Sequence, residues 1–375
     1  MPTVRIAQVT AQYPPRLGGV ERVVQTLSEL LADAGYEVEV FTGENGRGPG
    51  TVTARPRLRV HYLPSFVLAN VPIIPSLLFK LVKLPRGSII HLHAAQAFTP
   101  EMVFLASKLK NIPYVVHLAI ELEASSRLGI LLPIYKRLLL GPILRRAAVV
   151  TCQTEDWQAH MIRQYGIDKR KTVLLPWATD FTVASEPKRA ISALPRLLFV
   201  GRLTKQKNVP LLLEALDMYR KAFGTEIALE IVGEGEDEDA VRRQIKTLEL
   251  TRVTLRGPLS GQELQVAYEQ SDVFVLPTLY ETFGLVYVEA MAKGLPIVTT
   301  NVESVRKVVV NGRNGLLTAL DPAAFCASIR DLVTTQELYE EMSAHNLEDV
   351  RQYSWDNILQ RTLQIYSELS SVRSR

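Results

Sequence analysis

Two carboxylates, Glu281 and Glu289, stand eight residues apart in "ETFGLVYVEAMAKG", a stretch whose other residues read mostly as core. Buried carboxylates are rare unless paired or hydrogen-bonded, so something polar is expected to complete this place. Ionised carboxylates only accept hydrogen bonds, and each oxygen takes charge-assisted ones, which suits a ligand rich in hydroxyls such as a sugar. The plainer alternative makes Glu281 a first-turn helix residue and Glu289 the buried partner of an arginine. Arg202 and Lys207 lie five residues apart in "FVGRLTKQKNVPLLLEAL", beside a turn between an apolar strand and a helix. Cations at the carboxyl end of a parallel strand lie where open α/β sheets bind ligands, and a diphosphate is their natural partner. Two solvated surface charges are the alternative. In "YPPRLGGVERVVQTLSELLADAGY", Gly18 and Gly19 open a helix with Val23, Leu27, Leu30 and Leu31 on one face. Glycines permit close approach and the free amides of a helix start suit phosphate, although a tight βα turn explains the same residues. His117, in "PYVVHLAIELEASS", ends a predicted strand, as do His91 and His93 in "IIHLHAAQAF". Taken alone, such histidines also read as satisfied strand-end side chains.

Positioning these groups requires strands that end at the site. Apolar β-rich runs alternate with helical patterns through both halves: "VRIAQVT", "YEVEVFT", "IIHLH", "YVVHLAI" and "AAVVTC", then "RLLFVG", "IALEIVG", "RVTLRG", "VFVLPT" and "PIVTT". Near-continuous apolar strands separated by helices indicate parallel sheets covered on both faces, twice over. The chain of 375 residues is too long for one ordinary core and suits two domains. "PWATDFTVASEPKRAISALP" lacks either period and is rich in turn-forming residues, which predicts a linker there. The expected division is 1–176, a linker over 177–194, 195–354, and a closing helix over 355–375.

Together, Gly18-Gly19, "GRLTKQKN", "ETFGLVYVEAMAKGLPIV" and "NGRNGLL" resemble the retaining glycosyltransferases of family four, also called glycosyl transferases group 1. The resemblance covers nearly the whole chain, and "YSWDNILQRTLQIY" is similar to the family's closing helices, which cross back onto the N-terminal domain. It implies the GT-B fold, two Rossmann-like α/β domains with parallel sheets facing a central cleft. The implied reaction moves a sugar from a nucleoside diphosphate donor to an acceptor. The resemblance assigns Arg202 and Lys207 to the donor diphosphate, Glu281 to donor-sugar hydroxyls and Glu289 to the ribose. It assigns the amides of Phe283, Gly284 and Leu285 to the phosphates and sugar, and Gly18 and Gly19 to the donor from the other domain. His117 matches the histidine placed near the reacting sugar, and His91 and His93 fall in a region bordering the acceptor. Same-face attack with retention is implied, with neither glutamate needed as a nucleophile.

Two stretches depart from that pattern. "LLPWATD" stands where a Pro-Asn-Gly-Val-Asp turn is common, and Glu303-Ser304-Val305-Arg306-Lys307 replaces a Gly-Gly-x-x-Glu, which bears on donor-sugar selectivity. A nucleotide-sugar-binding protein of the same fold with little turnover is therefore the second expectation. A nicotinamide dehydrogenase is disfavoured because GxGxxG is absent.

Composition limits the partners. The net charge of +4, 43 basic against 39 acidic residues, is too weak to indicate nucleic acid. Cys152 and Cys326 form no CxxC spacing, so neither a zinc site nor a disulfide framework is expected, which fits a reducing cytosol. "MPTVRIAQVT" reads as a strand rather than an export signal. Asp237-Glu238-Asp239 matches a metal-binding Asp-x-Asp literally, but acids before a helix favour its N-terminal dipole, so no metal and no cofactor are expected. "VPIIPSLLFKLVKLP" and "RLGILLPIYKRLLLGPILRR" combine apolar residues with cations and no acid, and their charges interrupt any bilayer span. They predict either helices burying apolar faces or peripheral contact with an anionic membrane on its cytoplasmic side, together with a glycan or lipid-linked acceptor.

Overall fold

A computed structural model describes residues 4–15, 19–44, 46–68, 71–118, 132–188, 190–281 and 283–371. The chain divides into two compact units, Met1–Trp177 with Trp355–Arg375, and Ala178–Ser354.

Unit 1 contains, in chain order, β1 (Arg5–Thr10), α1 (Gly19–Asp33), β2 (Glu37–Gly43), β3 (Gly50–Arg55), β4 (Leu58–Leu63), β5 (Phe66–Leu68), β6 (Val71–Ile73), α2 (Leu77–Leu81), β7 (Ile89–Ala94) and α3 (Thr99–Lys110). There follow β8 (Tyr114–Leu118), α4 (Leu132–Tyr135), a π turn (Lys136–Leu140), α5 (Gly141–Arg146), β9 (Val149–Cys152), α6 (Glu155–Tyr165) and β10 (Thr172–Leu174). Eight strands form one sheet in the order β10-β9-β8-β7-β1-β2-β4-β3, parallel except for the antiparallel β3–β4 edge. Successive strand residues face opposite sides, and both sides are apolar. Ala7, Val9 and Val116 pack on one side with Leu77, Val103 and Leu144, whereas Ile6, Val38 and Val115 pack on the other with Leu27 and Leu31 of α1. Burial on both faces explains why these strands read as continuous apolar runs.

Unit 2 contains β11 (Arg196–Val200), α7 (Val209–Phe223), β12 (Ala228–Val232), α8 (Glu238–Thr247), β13 (Val253–Gly257), α9 (Gly261–Glu269), β14 (Val273–Leu276), α10 (Leu285–Ala292), β15 (Ile297–Thr300), β16 (Gly315–Thr318), α11 (Pro322–Thr334) and α12 (Gln336–Asp349). Its sheet runs β13-β12-β11-β14-β15-β16, all parallel. Strand order reverses direction between β11 and β14, and in unit 1 between β1 and β7. In open α/β sheets such reversals open the crevice where ligands bind. Helix α10 is apolar nearly all round and accordingly buried nearly all round, which is why its sequence reads as core.

The stretch read as a linker lies against unit 2. Ala184 N–H donates to Ala292 O at 2.8 Å, Lys188 N–H to Ser343 Oγ at 2.8 Å and Ser192 Oγ to Asp272 Oδ2 at 2.9 Å. The last helix, α13 (Trp355–Ser371), belongs to unit 1, where Ile365 and Tyr366 join the core formed by α1.

Candidate active site

Two loops meet at the strand-order reversal of unit 2. One follows β11 and carries Arg202 and Lys207; the other follows β14 and carries Glu281. They are fastened by backbone and side-chain bonds: Leu279 N–H donates to Gln206 O at 2.8 Å, and Gln206 Nε2 to Tyr280 O at 2.8 Å. Thr278 Oγ1 donates to Tyr280 O at 2.8 Å and faces Gln206 O at 3.2 Å. The consequence is an ion pair between Lys207 Nζ and Glu281 Oε2, whose side chains are only 13% and 11% exposed. The sequence expectations thus converge on one place, although each residue has so far found a protein partner there. Arg202, in contrast, is exposed, and its guanidinium makes no ion pair among the described residues.

Arg202's loop is itself held by glycines that sequence reasoning passed over. Gly233, at φ +136°, lies so close to the loop that an added Cβ would stand 2.0 Å from Gly201 O. A Cβ on Gly235 would stand 2.2 Å from Leu203 O. The close approach permits Gly201 N–H to donate to Val232 O at 3.0 Å and Leu203 N–H to Glu234 O at 2.9 Å. "VGEGE" after β12 was the available signal, since glycine after a strand marks close backbone approach.

Gly284 caps α10 in the left-handed region at φ +77°. The amides that open this helix have no intrahelical acceptor, and the helix dipole places positive potential there. Phe283 is buried with its ring edge-on to Tyr353 at 5.7 Å, and Leu285 begins the helix. Glu289, one face further along, is 3% exposed and accepts a hydrogen bond from Tyr268 Oη at 2.9 Å. A tyrosine is thus one partner of this buried carboxylate. Tyr268 is fixed in turn by Phe181 and Phe274, at 5.2 and 5.8 Å between ring centroids.

In unit 1, His117, the penultimate residue of β8, is buried, with both ring nitrogens engaged. Trp177 Nε1 donates to its Nε2 at 2.7 Å, and Gln153 Nε2 lies 3.0 Å from the same nitrogen. Indole nitrogen is only a donor, so His117 Nε2 carries the lone pair and Nδ1–H faces Thr151 Oγ1 at 2.8 Å. Burial pushes its pKa down to about 4, which keeps the ring neutral. His93 donates to Gln8 Oε1 at 2.7 Å, and His91 Nδ1 meets Tyr366 Oη at 2.7 Å. Both are interior, and burial depresses their pKa values too, that of His91 to about 3. The three rings form a row, His91 to His93 at 4.5 Å and His93 to His117 at 5.8 Å. Gly19 opens α1 beside Trp177, 3.7 Å from where its Cβ would stand, whereas Gly18 lies outside the described residues. Trp177, read from sequence only as part of a departure, is thus the residue that ties the glycine turn to the histidine.

Asp237-Glu238-Asp239 sits at the start of α8, and Glu238 Oε1 is taken by Arg242 Nη2 at 2.6 Å. The altered segment Glu303-Ser304-Val305-Arg306-Lys307 forms a short 3₁₀ turn over Val305–Lys307, with Val305 buried and Arg306 donating to Asn301 Oδ1 at 2.8 Å. Among the described residues no helix is long and apolar enough to cross a membrane.

A doubly wound sheet in each unit, with a charged cluster at the strand-order reversal of unit 2, defines an α/β architecture of the ligand-binding kind. Sequence comparison agrees: residues 184–348 match the glycosyl transferases group 1 model and residues 18–178 the glycosyl transferase 4-like domain. The chain belongs to the group 1 glycosyltransferases and has the GT-B fold. An uncharacterised glycosyltransferase of Methanocaldococcus jannaschii is 27% identical over 99% of this chain and 100% of that protein. A phosphatidyl-myo-inositol mannosyltransferase of Mycobacterium leprae is 26% identical over 96% of this chain and 95% of the relative. In structure the chain is similar to HepE from Anabaena, solved in complex with UDP-glucose, with TM-score 0.76, 18% identity, and 98% and 99% of the two chains covered.

Proposed function

We propose that this glycosyltransferase takes its sugar from a nucleoside diphosphate donor and transfers it with retention to a glycan or lipid-linked acceptor, without a metal. The observation that carries the reading is the Lys207–Glu281 pair at the strand-order reversal of unit 2. In the donor complex Lys207 exchanges part of its ion pair for the diphosphate, joined by Arg202 and the amides of Phe283, Gly284 and Leu285. Glu281 is then released toward the sugar hydroxyls, and Glu289, oriented by Tyr268, receives the ribose. Gly19 leaves room for the donor at unit 1, and His117 with its fixed neutral ring stands behind the reacting sugar. His91 and His93 serve as interior support for the acceptor-side strand ends.

The chemistry balances with these groups alone. The bond between the sugar's anomeric carbon and the diphosphate oxygen breaks, and the acceptor oxygen bonds to that carbon from the same face. The acceptor proton passes to the departing phosphate oxygen. Arg202, Lys207 and the helix start stabilise the charge that grows on the leaving group, which is the electrostatic task a metal performs elsewhere. Support for the donor class includes the HepE complex with UDP-glucose, and support for a lipid-type acceptor includes the mannosyltransferase relative. Cys152 and Cys326 are separate buried thiols, in keeping with a cytoplasmic enzyme.

Calorimetric titration with UDP, GDP and ADP tests the donor site. One nucleotide is expected to bind equally with and without EDTA, and Lys207→Ala is expected to weaken it about tenfold or more. Failure of all three to bind overturns the donor reading, and a product with inverted anomeric configuration by NMR overturns retention.

A further inference from the structure

Helix α10 has two ends, and the donor groups gather at only one of them. Gly284 caps its start, and Lys293 caps the other end, about 12 Å away along the axis. Beside Lys293 lies a groove of about 680 Å³, a size that takes a small molecule, and all its lining residues belong to unit 2. One wall is the segment 182–188, pinned to the unit by Ala184 N–H on Ala292 O and Lys188 N–H on Ser343 Oγ, both at 2.8 Å. The other wall is α9, through Gln262, Gln265 and Glu269.

Two lysines line this groove, and neither is saturated. The Lys293 side chain is only 4% exposed, and its ammonium donates to Glu269 Oε1 at 2.7 Å. Lys188 Nζ donates to Glu269 O at 3.0 Å and to Ser271 O. An ammonium carries three donors, so each lysine has hydrogen-bonding capacity left over. Burial holds the Lys188 pKa below the ordinary lysine value against the opposing pull of Asp272 and Glu269, so its charge gains from a further anion. The Glu269 carboxylate, by contrast, is 48% exposed at the end of its helix. It is an internal anion on a buried cation, and water can receive it if another anion takes its place. Glu186, the remaining carboxylate of the lining, is exposed and screened by water. The Gln262 and Gln265 amides and the Ser185 hydroxyl both donate and accept, which suits hydroxyl groups.

The groove also touches the donor site through a short series of contacts. Lys293 Nζ lies over the Phe181 ring, 5.7 Å from its centroid. Phe181 meets Tyr268 edge-on at 5.2 Å, and Tyr268 Oη donates to Glu289 at 2.9 Å. We propose that this groove binds a hydroxylated phosphate monoester as an effector: the phosphate replaces the Glu269 carboxylate on Lys293 and joins Lys188, and the filled groove holds Phe181 and Tyr268 where they orient Glu289. The coupling rests on the ribose role given to Glu289 above, whereas the binding does not. Rings ordered before the nucleotide arrives need not be ordered by it, so each ligand favours the other by the same factor.

Calorimetry of the full chain with sorbitol 6-phosphate, inorganic phosphate and sorbitol tests the groove. The ester has no anomeric carbon to transfer and is no donor. It is expected to bind about tenfold or more tighter than either control. Lys293→Gln is expected to weaken it about tenfold or more, and Gln262→Glu on the exposed helix face about threefold or more, while nucleotide titration certifies that each variant is folded. At saturating ester the nucleoside diphosphate that binds best is expected to bind about threefold or more tighter, and Phe181→Leu to abolish that gain while the ester still binds. Competition between ester and nucleotide overturns the groove, as does an ester affinity unmoved by Lys293→Gln. Independent binding of the two overturns the coupling. A chain that binds nucleotide but not the ester overturns the groove and leaves the donor reading standing, and one that binds the ester but no nucleotide does the reverse.

Discussion

Lys207 and Glu281 are each other's counter-ion, and a pair at 13% and 11% exposure could be a purely structural fastening of two loops. The two readings diverge on substitution. Lys207→Ala is expected to lower kcat/KM about 10²-fold, roughly 2.7 kcal/mol of transition-state stabilisation. If the pair were only a fastener, Lys207→Ala with Glu281→Ala would recover activity that either alone had lost; in the donor reading steady-state kinetics of the double variant stay as poor as those of the worse single variant. Trp177→Phe tests the second cluster. It keeps an aromatic side chain, though a smaller one, and removes the N–H that donates to His117 Nε2 at 2.7 Å. Since that bond favours neutral imidazole, its loss should raise the His117 pKa from about 4, as NMR titration of the ring would show. An unmoved titration would mean the contact does not govern the histidine.

The loops depend on elements, and the elements depend on glycine at two positions. At Gly284, φ +77° is costly for any residue with a Cβ, and that atom would stand 2.5 Å from the Tyr287 ring. Gly284→Ala should cost about 1–3 kcal/mol in thermal melts and weaken nucleotide binding with it. Gly233→Ala should instead displace the loop carrying Arg202, so its loss of nucleotide affinity should exceed that of Arg202→Ala. Much of this level was legible beforehand. The strands buried on both faces announced themselves as apolar runs, and Gly294, at φ +64°, follows the Lys293 cap of α10 as a glycine past a helix end commonly does. The β3–β4 edge was missed because "GTVTAR" is exposed along its length and carries no apolar run. Short β16 was missed because its four residues are too few for a period. At the site, residue types were readable but partners were not. Glu281 and Lys207 are 74 positions apart, Glu289 and Tyr268 are 21 apart, and Trp177 and His117 are 60 apart. Such pairings arise from strand order, which local pattern does not encode.

Across unit 1 the neutral row His91, His93 and His117 couples the whole sheet to pH. Their folded pKa values lie below the ordinary histidine value, chiefly through burial, so the unfolded chain binds protons that the folded chain resists. Stability is therefore full above about pH 6.5 and falls as pH drops toward 4. For His117 alone the loss between about pH 7.5 and 5 is roughly 2 kcal/mol, and denaturant melts at the two values should show at least that. Equal midpoints would mean that the row is hydrated or already charged. Finally, unit 1 is made of two pieces of chain, Met1–Trp177 and Trp355–Arg375, with all of unit 2 between them. A polypeptide emerging from a ribosome must therefore complete its second domain while the first still lacks α13. Until then Leu27 and Leu31 lack the cover of Ile365 and Tyr366, and His91 lacks the Tyr366 hydroxyl. The domain begun first is completed only after the second, and the newborn chain carries an uncovered apolar flank until α13 is made.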